Sequence, residues 1–346
     1  MIELLIALAI AMFVVAALYG LFIMQSRQFI YQDLQMEMHQ NLRFATDTIA
    51  RSVRMAGFNT NGEPTGWGGI TGPDDAINPL PVVISHDDWN GEGHDAITLV
   101  YGDPSLVVST TMLSIEQCET TGLSVLSDLS DYSDKLSEYE AGELLLCMDY
   151  ASIMGMESYI WVINSIDGST YSNQTRFNVA SNTGYSDYDA VCPSGENLTP
   201  IMSCSKAQVL TFYIDDVDDG VGPGSPSKPV LMLDMDLGYP EADDVPVVEN
   251  VEDMQLSYCV DNGTDDTDCT DSSNWKDSID MTDGDVPWMV RLSLVVRSAK
   301  EDPEERHTGT TYTLENHSSS GASDGYFREL LTTEITVRNL RTQSVL

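Results

Sequence analysis

The chain has 346 residues, with 16 basic against 55 acidic side chains and a formal net charge of -39. That excess repels phosphate backbones and anionic lipid heads, so nucleic acid is not an expected partner. The length is enough to bury a real core, as one large domain or two.

The first 58 residues carry the strongest signal. From Leu4 to Met24 there is no charged side chain. In a helix rising about 1.5 Å per residue this run crosses a hydrocarbon core of roughly 30 Å. It is too long for a signal-peptide core, with no basic region before it and no Ala-x-Ala site after it, and reads as a retained transmembrane helix. Beyond Met24 the pattern turns amphipathic. Phe29, Ile30, Leu34, Met38, Leu42, Ala45, Ile49, Val53 and Ala56 recur at helical spacing. Gly57 offers a stop, and Arg51 and Arg54 suit the negative end of the helix dipole. The spacing predicts one helix of about 55 residues, about 80 Å long. Glu3 stands out, because a carboxylate at the edge of an apolar span is costly and usually has a partner.

These letters resemble a known family. Met1-Ile2-Glu3-Leu4-Leu5-Ile6-Ala7-Leu8-Ala9-Ile10 is similar to the start of type IV pilins, where a short apolar run and a glutamate follow a processed leader. The run from Arg43 to Phe58, with Ala50-Arg51-Ser52-Val53-Arg54-Met55-Ala56-Gly57-Phe58 at its end, resembles the close of the first helix in PilW-type minor pilins. The resemblance implies that Glu3 pairs with the processed, methylated amine of a neighbouring subunit, the position Met1 holds here. It implies too that Leu4, Leu5, Ile6, Leu8, Ile10, Phe13, Val14, Leu18, Leu21 and Phe22 pack in a filament core. In that family the glutamate is fifth in the mature chain and here it is third. Either two residues precede Met1 or the cleavage point differs.

After the helix, Asn59 to about Gly72 is rich in Asn, Gly, Thr and Pro and reads as a loop. Short strand-like runs follow at Pro81–Ser85, Ala96–Tyr101, Leu144–Met148, Tyr159–Asn164, Gln208–Ile214, Pro229–Leu233, Met254–Val260, Trp288–Arg297 and Thr332–Arg338. Val290, Leu292, Leu294 and Val296 share one face, and Ile335 and Val337 alternate with Glu334 and Thr336. The expected fold is α+β: a long N-terminal helix, apolar then amphipathic, packed on a mainly antiparallel β-sheet domain with disulfide-stapled loops. The helix takes residues 1–58 and the β-rich domain 59–346. The PilW resemblance returns over roughly 205–341, in Gln208–Ile214, Val248–Tyr258, Val290–Arg297 and Thr336–Asn339. The stretch of about 103–203 has no counterpart there and reads as an elaborated insertion.

The six cysteines, Cys118, Cys147, Cys192, Cys204, Cys259 and Cys269, form no CxxC and have few histidines for company. An even count in an exported chain points to disulfides rather than zinc. The local pairs 118–147, 192–204 and 259–269 are expected, since turn-rich sequence closes short loops easily. No GxSxG, HExxH, GxxxxGK[ST] or GxGxxG carries a catalytic site, so no enzyme is expected. His86-Asp87-Asp88 reads as a solvated turn. Acidic clusters occur around Asp215–Asp219, Asp261–Asp268 and Asp283–Asp285. Asp261, Asp265, Asp266 and Asp268 are the favoured calcium ligands, on a loop the 259–269 disulfide would close, although none fits the EF-hand spacing. No other cofactor is expected.

The resemblance implies a structural subunit of a type IV pilus-like filament, a minor one rather than the main repeating unit, acting in assembly initiation or as a tip or shaft component and supporting adhesion or motility. Its partners would be other pilin subunits, the inner membrane before assembly and the assembly machinery; its place would be the membrane, then the extracellular filament. Two alternatives stand: a pseudopilin of a type II secretion system, or a membrane-tethered binding module that never polymerises.

Overall fold

The computed structural model describes residues 2–60, 82–89, 91, 93–109, 118–119, 122–127, 138–140, 142–149, 157–171, 174–180, 202–217, 228–235, 244–261, 269–279, 286–301, 312–319 and 324–340. A single helix, α1 (Ile2–Met55), comes first. Then follow β1 (Val83–Trp89), β2 (His94–Gly102), β3 (Val108–Ser109), β4 (Cys118–Glu119), β5 (Gly122–Ser127), β6 (Leu144–Asp149), β7 (Glu157–Tyr171) and β8 (Gln174–Ala180). The remaining strands are β9 (Met202–Val217), β10 (Lys228–Asp234), β11 (Val245–Glu249), β12 (Val251–Asp261), β13 (Trp275–Lys276), β14 (Val286–Arg297), β15 (Tyr312–Leu314), β16 (His317–Ser319) and β17 (Arg328–Thr336).

Among the described residues the strands make three antiparallel sheets. The largest runs β1-β2-β9-β6-β7-β8-β5-β4, with β10 and β3 also on β9 and β11 on β10. The second runs β13-β12-β14-β17, and β15 pairs with β16 as a hairpin. The long β9 unites two parts of the first sheet. Its Met202–Lys206 end pairs with β6, Ala207–Phe212 pairs with β2, and Thr211–Val217 pairs with β10. The strands between about 103 and 203 therefore continue the sheet of the core rather than standing off it.

The main core lies between the helix and the first two sheets. Leu34, Met38, Leu42, Ala45, Ile49, Val53 and Ala56 come from the helix. They meet Ile97, Leu99, Leu210 and Phe212 of the first sheet, and Met254, Leu256, Leu292, Leu294, Val296 and Ile335 of the second. Burying one such aliphatic side chain contributes about 1.5–3 kcal/mol, so the helix face is a principal element of the core. The alternation expected on β14 and on residues 335–337 is present, with Val290, Leu292, Leu294, Val296, Ile335 and Val337 all buried.

Two expectations need correction. The docked face begins at Tyr31, whose ring meets Phe327 edge-on at 5.1 Å, with Leu34 the first buried position; Phe29 and Ile30 are 69% and 53% exposed, on the side of the helix that the domain does not cover. The disulfides differ too. Cys147 bonds to Cys204, so neither 118–147 nor 192–204 forms. The physical reason is register: Cys147 on β6 stands directly opposite Cys204 on β9, two strands far apart in sequence but neighbours in the sheet. Cys259–Cys269 forms as expected. Cys192 lies outside the described residues, and Cys118 sits on β4.

Candidate functional site

The helix has two unlike halves. Glu3 occupies its first turn, and every apolar residue expected to pack in a filament core is exposed. Leu4, Leu5, Ile6, Leu8 and Ile10 are open, as are Phe13 (82%), Val14, Leu18, Leu21 and Phe22. Met1 lies outside the described residues. The segment is long and apolar enough to cross a membrane, and none of its most apolar window is buried in the protein. From Ile2 to Tyr31, where the domain first touches it, about 44 Å of helix projects. A hydrocarbon core takes up roughly 30 Å of that, which leaves a collar of about 14 Å around Phe29 and Ile30. A helix apolar all round is stable only with lipid or other helices about it.

The domain grips the other end of this helix through contacts the sequence did not disclose. A helix leaves its last carbonyls without intrahelical donors. Here the Asn339 side-chain amide donates to the carbonyls of Met55 and Ala56, at 3.2 and 3.1 Å. Gly57 turns the chain at φ +75°, and its N–H donates to the Val100 carbonyl of β2. The positive φ favours glycine here, and a Cβ on Gly57 would crowd Leu340 at 3.3 Å. The Gly102 N–H then returns a bond to the Phe58 carbonyl.

Asn59, also at positive φ, extends the grip into the first sheet. Its amide donates to the Ser203 carbonyl at 3.1 Å and to Ser205 Oγ at 2.9 Å, and reaches the Leu146 carbonyl. Ser203 and Leu146 flank the Cys147–Cys204 disulfide in sequence. One asparagine thus ties the helix end to the stapled pair β6–β9. The available sequence signal was small: an Asn two residues after a Gly stop, a residue type that tolerates the left-handed region.

The other predicted residues are dispersed. His86 meets Thr98 Oγ1 at 3.0 Å, Asp87 accepts from the Asn316 amide, and Asp88 accepts from the Gly93 N–H across a bulge. Asp265, Asp266 and Asp268 lie outside the described residues, and Asp261 ends β12. Among the described residues, no group of three His, Cys, Asp or Glu side chains is placed to hold a metal ion.

No curated protein and no solved structure matches the chain. Residues 211–339 match the family model described as Type IV Pilus-assembly protein W. That span runs from the middle of β9 to Asn339, inside the region of PilW resemblance, and includes all of the second sheet. The second sheet and Asn339, which help to receive and cap the helix, are therefore similar to a type IV pilus-assembly family, a likeness that supports involvement in type IV pilus assembly and, with the apolar helix, fits membrane association.

Proposed function

We propose that the protein is a structural subunit of a type IV pilus-like filament, held in the inner membrane before assembly and carried to the cell exterior within the fibre. The observation that supports this most is the helix: an exposed apolar half continuous with a half locked into the domain. A membrane anchor needs only about 20 apolar residues, and the collar at Phe29 and Ile30 exceeds that. Neighbouring subunits' helices would cover it together with the Leu4–Phe22 surface. Glu3 would neutralise the amine of the adjoining subunit, at the position of Met1. The role is non-enzymatic and needs no cofactor. Calcium on the Asp261–Asp268 loop would serve only to stiffen it, which a melting curve with added calcium tests. Tip or shaft placement, and adhesion or motility support, follow from which subunits it joins.

The test combines sheared surface filaments, mass spectrometry of their subunits, and the Glu3→Ala variant. The wild-type chain is expected in the fibres, while Glu3→Ala stays in the membrane with the domain's melting temperature unchanged. A wild-type chain found only in the membrane overturns the proposal in favour of a tethered binding module.

A further inference from the structure

The outermost strand of a sheet leaves one side of its backbone without partners, and folded proteins usually blunt such an edge with a bulge, a proline or a short strand. Most edges of this domain are blunted so. β1 breaks register between His86 and Trp89, with Asp87 and Asp88 inside the break. β11 contains Pro246, and its register against β10 shifts as well. β3, β4 and β13 are two residues long, and β15 and β16 are three. Among the described edges β17 is the exception. Its 9 residues pair with β14 without a shift, and the run from Arg328 to Thr336 holds neither proline nor lysine.

The ladder fixes which groups face outward. The Ser298 N–H donates to the Phe327 carbonyl and the Val337 N–H to the Trp288 carbonyl, both in register with the β14–β17 pairing. Backbone groups alternate along an antiparallel strand, so Glu329, Leu331, Thr333 and Ile335 bond to β14. Leu330, Thr332 and Glu334 then present their N–H and C=O groups on the open side, where no other strand pairs among the described residues. The open stretch starts after Arg328, whose carbonyl accepts from the Tyr312 hydroxyl. At its middle, Leu330 and Leu331 are 36% and 37% exposed, one on each face of the edge.

We propose that the β17 edge is a docking site for an extended, basic segment of another protein, which joins the second sheet as a further antiparallel strand. Main-chain bonds to Leu330, Thr332 and Glu334 hold it, and its alternating apolar side chains cover Leu330 and Leu331. Charge selects the partner. Glu329 meets His39 and Glu334 meets Arg291, yet both remain accessible, and the chain carries a net charge of -39. Lysine or arginine opposite these two positions is attracted, and an acidic segment is repelled. A second copy of this chain does not fit. β17 runs in the same direction as α1, since Glu329 lies beside His39 and Asn339 beside Met55. Two β17 strands paired antiparallel would point their apolar half-helices in opposite directions, away from any shared membrane, and would set acidic edge against acidic edge.

Two measurements on the full chain in detergent test this, and neither needs a filament to form. The first is hydrogen exchange of the free protein. The amides of Leu330, Thr332 and Glu334 are expected to exchange roughly a hundredfold faster than those of Leu331 and Thr333. Slow exchange at all of them overturns the proposal, because the edge is then already covered. The second is fluorescence anisotropy with a capped strand peptide whose two lysines are spaced as Glu329 and Glu334 are, with valine and threonine between them. It is expected to bind about tenfold more tightly than the same peptide with glutamate for lysine, and to slow exchange at the three outward amides. Equal binding, or protection elsewhere on the domain, overturns the site. Thr332→Pro separates docking from general attraction to an acidic chain. It deletes an outward N–H and leaves the ladder to β14 whole, so the melting temperature should hold while peptide affinity falls about tenfold. Leu331→Lys gives the same test should the proline variant fail to fold. Unchanged affinity in the folded variant overturns the proposal.

Discussion

The two halves of α1 form one uninterrupted helix in opposite surroundings. From Leu34 onward, one residue in every three or four is buried against the sheets. Before it, no side chain of the most apolar window is buried. Intrinsic helix propensity is similar in both, so propensity is not what distinguishes them. The docked half obtains its stability from the domain and belongs to this chain's folding unit. The free half is written for an apolar solvent supplied by lipid or by other subunits, and its sequence is under no constraint from the domain.

Matched substitutions give the largest expected contrast. Ile49→Asp places a carboxylate at a fully buried position and should cost more than about 4 kcal/mol, enough to abolish cooperative unfolding in urea. Val14→Asp should leave the urea midpoint unchanged while weakening membrane insertion by about 3 kcal/mol. Equal effects of the two on the domain would erase the distinction between the halves.

A second comparison sharpens the grip on the helix end. Cys147 and Cys204 close a loop of 57 residues in sequence, so replacing both with Ser should cost about 4 kcal/mol by the chain-entropy estimate. Removing the Cys259–Cys269 link should cost less, since the loop is only 10 residues. The smallest effect is expected from Asn339→Ala. It leaves the carbonyls of Met55 and Ala56 without their side-chain donor and should lower stability by about 1–2 kcal/mol. Hydrogen exchange should show that loss concentrated in the last turns of α1.

What could be read in the sequence was what local pattern encodes. The helix, its stop at Gly57 and the inward faces of β14 and β17 all rest on periodicities of 3.6 or 2. β5, β8, β11 and the β15–β16 hairpin went unrecognised, because short, polar or Pro-bearing runs such as Gly122–Ser127 and Val245–Glu249 lack that alternation. Register was invisible too. Nothing near Cys147 announces that Cys204 will stand opposite it, and local closure favoured the wrong partners. The Asn339 cap and the pairing of Asp253 with His94 and His317 were hidden for the same reason. Asn339 closes a helix that ended more than 280 residues earlier, and Asp253 joins histidines 159 and 64 residues away. Glu3 shows the opposite case: conspicuous in the sequence, it would find its partner, under the proposed function, in another molecule.

The cap carries a consequence for how the protein is made. Because Asn339 caps the end of α1 and Leu340 packs beside it, the helix is completed by residues that emerge more than 280 positions after it. During synthesis the apolar half is already complete while the far end of the same helix waits, uncapped, for residue 339. A chain interrupted before residue 339 keeps its apolar half but has no finished joint, so under the proposed filament role only a chain made through that residue could pass a pull from helix to domain.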